Sequence, residues 1–339
     1  MRSKTVAHFL VKLSLSLFLL TVLADSAVSA AHGAEILPQP RMIKLGKVPD
    51  GDDLMETTPI IFEGRLLRLE TLRPNTKKNT STEMALEFVE IESGRRLGRF
   101  AYGYGLADAL AYNGKVFVFA SKFDSKKNQW GNFITVFEST DLQHWDRRIV
   151  FETNDSPNEG IFNVSVTRER SDGRWVMVYE TNDSRYTPFT MKFAESNDLK
   201  TFSKMGVPPF RTDRYTGAPN LVWHEGCYYF FFAERFPAKP NDIFETHVAR
   251  SKDLIFWEYA LRPVLKPRLD ELNNNSDISL LDLGGTVLIY YANADQVDFS
   301  ELKMALFPGG LGLFLQSFFS DRGGVCGCRE AAGSSKDNY

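Results

Sequence analysis

Cysteine and histidine are scarce in this sequence, with three and five residues in 339. The odd number of cysteines, two of them (Cys326 and Cys328) in a glycine-rich stretch far from Cys227, argues against a disulfide framework. Cys326-x-Cys328 has the spacing of a metal or redox pair, but no histidine lies near it, so neither a metal nor another cofactor is expected. Charge of one sign is not in excess either. The 40 Lys and Arg stand against 43 Asp and Glu, a net charge of −3, and no nucleic-acid or anionic-membrane partner is expected. A long apolar run occurs only over residues 13–24, which is too short to span a bilayer comfortably.

That run has a different use. Arg2, Lys4 and Lys12 come before it, and Val28-Ser29-Ala30 after it has the small-residue pattern of a signal-peptidase site. Residues 1–30 therefore read as an export signal. The mature protein is expected to be secreted or periplasmic after cleavage near Ala30, and monomeric.

What the sequence does contain is one short phrase written three times. Ser139-Thr140-Asp141-Leu142-Gln143-His144-Trp145 returns as Ser196-Asn197-Asp198-Leu199-Lys200-Thr201-Phe202 and as Ser251-Lys252-Asp253-Leu254-Ile255-Phe256-Trp257. The aspartates lie 57 and then 55 residues apart, a period typical of repeated supersecondary units. Set in register with the phrase, strand pairs fall at residues 58–62 with 65–70, 107–112 with 116–120, 162–167 with 175–180, 218–223 with 228–233 and 277–281 with 287–292. Asn113-Gly114, Asp172-Gly173 and Glu225-Gly226 are hairpin signals, because glycine accepts the positive φ of such turns. The apolar runs 116–120 and 228–233 suit strands buried on both faces. Ser and Asp in the phrase bond local amides in a turn, so it reads as a structural part.

The expected fold is all-β, a five-bladed β-propeller of four-stranded antiparallel blades starting near residues 55, 106, 161, 217 and 276. Residues 31–319 form its single domain. A segment at 36–48 supplies the outer strand that closes the last blade, and residues 320–339 form a disordered tail.

On these blade phrases the chain resembles the five-bladed propeller glycosidases, which include arabinanases, β-xylosidases and invertases. Thr216-Gly217-Ala218-Pro219-Asn220-Leu221, followed by Glu225-Gly226-Cys227-Tyr228-Tyr229, is similar to their fourth-blade stretch. Asn163-Val164-Ser165-Val166 is similar to the third-blade Asp-Pro-Ser-Val, and Thr58-Pro59 to the first-blade Asp-Pro. The resemblance implies glycoside hydrolysis at the propeller centre, with acids at those three places. This sequence carries Thr58, Asn163 and Thr216 instead, and none of them titrates near neutral pH.

Hydrolysis of a glycoside still needs two carboxyl groups. Asp108, Glu159, Glu180, Glu234 and Asp277 fall at first-strand starts or second-strand ends of successive units, and that spacing would set them around one axis. They are the candidate catalytic residues, Asp108 first because it interrupts an apolar strand. Thr58, Asn163, Thr216, Asn220 and Arg235 are candidate sugar-binding residues, and Tyr102, Tyr104 and Tyr215 are candidate stacking partners. Two readings follow: a secreted hydrolase of an oligo- or polysaccharide with a non-standard carboxylate set, or a propeller that binds glycan without cleaving it.

Overall fold

The computed structural model describes residues 41–169, 172–295 and 299–319. The expected signal, the tail at 320–339 and the first part of the 36–48 segment lie outside them. The chain divides into two compact units, 1–42 and 43–339, and every strand described belongs to the second. Among the described residues no helix is long and apolar enough to cross a membrane.

Among the described residues the fold is all-β, apart from a short helix α1 (Leu311–Gln316). After β1 (Ile43–Asp52), a first antiparallel sheet holds β2 (Thr57–Phe62), β3 (Arg65–Leu72), β4 (Ala85–Glu90) and β5 (Arg96–Phe100) in chain order. A second holds β6 (Tyr104–Tyr112), β7 (Lys115–Asp124), β8 (Gln129–Ser139) and β9 (Asp146–Glu152). A third holds β10 (Ile161–Arg168), β11 (Trp175–Thr181), β12 (Thr190–Ser196) and β13 (Ser203–Lys204).

The remaining strands share an eight-stranded sheet. They are β14 (Thr216–His224), β15 (Cys227–Phe236), β16 (Ile243–Ser251), β17 (Glu258–Tyr259), β18 (Asn274–Asp282), β19 (Thr286–Ala294), β20 (Ser300–Pro308) and β1. A single parallel pair, Phe244 with Asn274, joins its halves β14–β17 and β18–β20 plus β1. Each half is antiparallel and four-stranded, like the other sheets. β1 lies outermost in its half, against β20, with Ile43 opposite Leu306 and Lys47 opposite Lys303. The first strands of consecutive groups touch in a closed cycle: β2 with β6, β6 with β10, β10 with β14, β14 with β18, and β18 with β2.

The turns and faces follow from the residues. Glu63-Gly64, Asn113-Gly114 and Glu225-Gly226 all have positive φ at both positions, the geometry that matches the twist of flanking strands. The core lies between neighbouring sheets: Leu69 and Phe88 pack with Val118 and Phe137, Phe119 and Val136 with Val164 and Tyr179, and Val178 and Phe193 with Phe230 and Phe232. Residues 116–120 and 228–233 are all buried, as strands covered on both faces require.

The repeated phrase builds the same turn each time. Ser139 Oγ accepts the Leu142 N–H at 2.8 Å, and Asp141 Oδ1 accepts those of Gln143 and His144, both at 2.8 Å. Ser196 with Asp198 and Ser251 with Asp253 repeat the pattern. The leucine is buried in all three, with φ of 62°, 61° and 62°. One expectation needs amending: Cys227 is disulfide-bonded, although the cysteine count gave no sign of a framework.

Candidate active site

The site is made by irregularities in the first strands. β6, β10, β14 and β18 each slip register, between Gly105 and Asp108, Phe162 and Val164, Gly217 and Asn220, and Ser276 and Ser279. One residue in each bulge has positive φ: Leu106 at 49°, Asn163 at 49°, Ala218 at 52° and Asp277 at 53°. A bulge bends its strand and re-aims a side chain. All four residues line one cavity of about 470 Å³, together with Glu56, Arg73, Trp130, Phe162, Glu180, Phe189 and Tyr215. A narrower chamber shares Glu56, Asn163, Ala218 and Asp277 with it and adds Thr58, Asp108, Asn220 and Ser279.

Three carboxyl groups therefore meet in the larger cavity. Glu180, near the end of β11, is buried and accepts bonds from the Ala218 N–H and, at 2.9 Å, from Asn163 Nδ2. Burial pushes its carboxyl well above the usual range, and neighbouring Asp277 and Glu56 add to the shift. Burial also pushes Asp277 up to about 7, with repulsion from Glu56 reinforcing it. Glu56 is bonded to Arg73 through Oε1, while its buried Oε2 has no hydrogen-bond partner.

Asp108 is placed differently. Burial raises it to about 6 against opposing hydrogen bonds. Oδ2 accepts the Val166 N–H at 2.7 Å, and Oδ1 accepts the Ala109 N–H at 2.9 Å and the Thr58 hydroxyl at 3.3 Å. This carboxyl, in the lining of the narrow chamber, ties β6 to β10. In that chamber Asn220 Oδ1 and Ser279 Oγ are buried without a partner.

Six of the ten candidate catalytic and sugar-binding residues thus line the two cavities: Asp108, Glu180, Asp277, Thr58, Asn163 and Asn220. The other four are not among the lining residues. Glu159 is buried against Lys192 Nζ at 2.9 Å, Thr181 at 2.7 Å and Thr153 at 3.1 Å. Its carboxylate lies close to those of Asp155 and Asp183, a grouping suited in shape to a cation. The Lys192 ammonium already fills that role, 2.9 Å from Asp155 and 2.7 Å from Asp183.

Glu234 pairs with Arg214 at 3.0 Å and Arg211 at 3.3 Å. Arg235 pairs with Asp242 on an exposed stretch. Thr216 is fully buried, its hydroxyl without a partner. Of the tyrosines, Tyr215 lines the cavity, Tyr104 packs edge-on against Phe137, and Tyr102 is exposed.

Sequence reasoning missed Glu56 and Arg73. Glu56 stands two residues before Thr58, where the resemblance directs attention to a first-strand acid, and about one repeat before Asp108. A second cleft, of about 490 Å³, lies between Pro208–Asp213 and Ile255–Tyr259. It has Asp213 as its only carboxyl, one fewer than glycoside hydrolysis requires.

No family model and no curated protein matches this sequence. Solved structures do match. One described as a glycoside hydrolase superposes with a TM-score of 0.58 at 14% identity, over 79% of this chain and 91% of its own. An N-acetylgalactosamine deacetylase from F. plautii, solved in complex with blood group B trisaccharide, gives 0.58 at 12% identity, over 82% and 98% of the two chains. The GH43 endo-arabinanase from Bacillus licheniformis gives 0.53 at 12% identity, over 75% and 94%. The resemblance to the propeller glycosidases therefore holds in three dimensions, as a likeness of fold.

Proposed function

We propose that this chain is an exported glycoside hydrolase, built as a five-bladed propeller, that cleaves an oligo- or polysaccharide in the cavity holding Glu56, Glu180 and Asp277. The observation that carries the reading is the sharing of one cavity by these three carboxyls, with Glu180 held toward its protonated form. The closed cycle of first strands and the five four-stranded groups support the blade count. Export rests on the charged and apolar pattern of residues 1–30.

In this mechanism Glu180 gives its proton to the glycosidic oxygen as the bond to the anomeric carbon breaks. Glu56, with Arg73 on one oxygen and the other unpartnered, either takes a proton from the attacking water or bonds the anomeric carbon itself. Asp277 disfavours a further negative charge in the cavity and so helps keep the proton on Glu180. Asn163 and Asn220 offer amide groups to sugar hydroxyls. Glu180→Gln and Glu56→Gln should each lower turnover by about 10²–10⁴-fold with melting temperatures near that of the parent. Unchanged turnover in either variant would remove that residue from the mechanism.

A second reading has its own observation. Thr58, Asn163 and Thr216 stand where the resemblance places acids, which favours a propeller that binds glycan without cleaving it. Saturable binding of an oligosaccharide by calorimetry, with no product released, would select this reading.

A further inference from the structure

One wall of the cavity is aromatic throughout. Trp130 stacks on Phe162 at 5.6 Å, Phe162 meets Phe189 edge-on at 5.5 Å, Phe189 meets Tyr215 at 5.2 Å, and Tyr215 meets Phe244 at 5.6 Å. All five rings line the cavity, and the acids and Arg73 line it with them. Phe189 stands apart from the rest of this arc. It is 36% exposed and has a φ of +68°. Positive φ is a true outlier for a bulky residue.

The loop around Phe189 holds it in that conformation. The Thr190 N–H and hydroxyl both bond the Thr187 carbonyl, at 3.2 and 2.7 Å, and the Thr187 N–H reaches the Thr212 carbonyl at 3.4 Å. Upstream, Asp183 is fixed by Arg185 and by Lys192 at 2.7 Å. Backbone strain that the surroundings impose concentrates at ligand clamps and active sites. Here its effect is to set a partly exposed ring, between Phe162 and Tyr215, in the cavity that Glu180 and Asn163 also line.

We propose that Phe189 is a specificity-determining platform, on which the C–H face of a sugar ring stacks while its hydroxyls turn to the acidic wall. The proposal rests on the glycan-site reading above. Aromatic faces attract polarised C–H edges and bury apolar area with little loss of conformational freedom.

Phe189→Gly separates this role from a packing role, because glycine adopts the positive φ without strain. Relief of strain then offsets the lost ring contacts, and the melting temperature should move by only a few degrees. Sugar affinity should fall roughly tenfold, and Phe189→Trp should retain it. The probes are arabinotriose, xylotriose and galactotriose, titrated calorimetrically into the parent and both variants, with each mixture then analysed for products.

Loss of binding in Phe189→Gly at a preserved melting temperature, with binding kept in Phe189→Trp, is the expected result. Equal affinity in all three proteins overturns the platform even if sugars are hydrolysed, as does a folded parent that binds none of the probes. Binding that depends on Phe189 without any product keeps the platform and overturns the hydrolase.

Discussion

At the scale of single residues, the cavity carboxyls divide into those that hold the fold and those free for chemistry. Asp108 was the first candidate from sequence because an acid interrupting an apolar strand lacked a structural explanation. The structure supplies one: its oxygens accept the backbone N–H groups of Val166 and Ala109. Sequence gives no sign of such a bond, since its donor is a main-chain group 58 residues away. Asp108→Asn turns an amide NH₂ toward one of those donors and leaves that N–H without an acceptor, and should cost about 1–3 kcal/mol, read as a lower denaturation midpoint.

Asp277 behaves in the opposite sense. Burial, with Glu56 beside it, pushes its carboxyl up to about 7 in the folded state, far above the ordinary range of a free aspartate. Between that range and the folded value the folded protein holds a proton that the unfolded chain has released, so this group's contribution to stability falls as pH rises through the window. Asp277→Asn removes that penalty. The variant's melting temperature relative to the parent should rise between about pH 4 and pH 8, reflecting a few kcal/mol. A difference that stays flat with pH would contradict the burial argument.

At the scale of elements, the hairpins were legible because glycine and apolar runs mark them. The bulges were not. Leu106, Asn163, Ala218 and Asp277 all carry positive φ without being glycine, so sequence offered no punctuation at the places that shape the site. For the same reason β6 and β18 begin three residues before their predicted starts at 107 and 277.

The sequence places a closing strand at 36–48, and the described strand β1 runs over Ile43–Asp52, outermost beside β20. It is anchored by a buried ion pair: Lys44 Nζ lies 2.6 Å from Glu271 and 2.9 Å from the Lys266 carbonyl. Lys44→Ala leaves the Glu271 carboxylate to Lys303, at 3.5 Å, the Tyr291 hydroxyl and the Arg268 N–H, with no close cation. It should destabilise the protein by roughly 3 kcal/mol, measured as a shift of the denaturant midpoint at constant slope. A shift within error would show that β1 does not fasten the last sheet.

At the scale of the whole molecule, the all-β architecture was the most legible property, because a structural part used three times leaves a phrase written three times. The Ser-x-Asp-Leu turn is the same device three times, and the spacing of its copies gave the unit length. The acids were less legible because a cavity is assembled from one or two residues of each unit, and those residues need share no pattern. Glu159 and Glu234 had suitable positions along the chain, yet their carboxylates are engaged by Lys192 and by Arg211 and Arg214. Glu56 and Arg73 lie in the cavity without having drawn notice.

The proposed function has this cavity cleave glycosides with Glu180 as the acid. The direct measurement is to incubate the folded protein and Glu180→Gln with a panel of plant and marine oligosaccharides and to follow products by mass spectrometry. Sugar should be released by the parent and not by the variant. No release from the folded parent across the panel, or equal release by the variant, would contradict the proposed function.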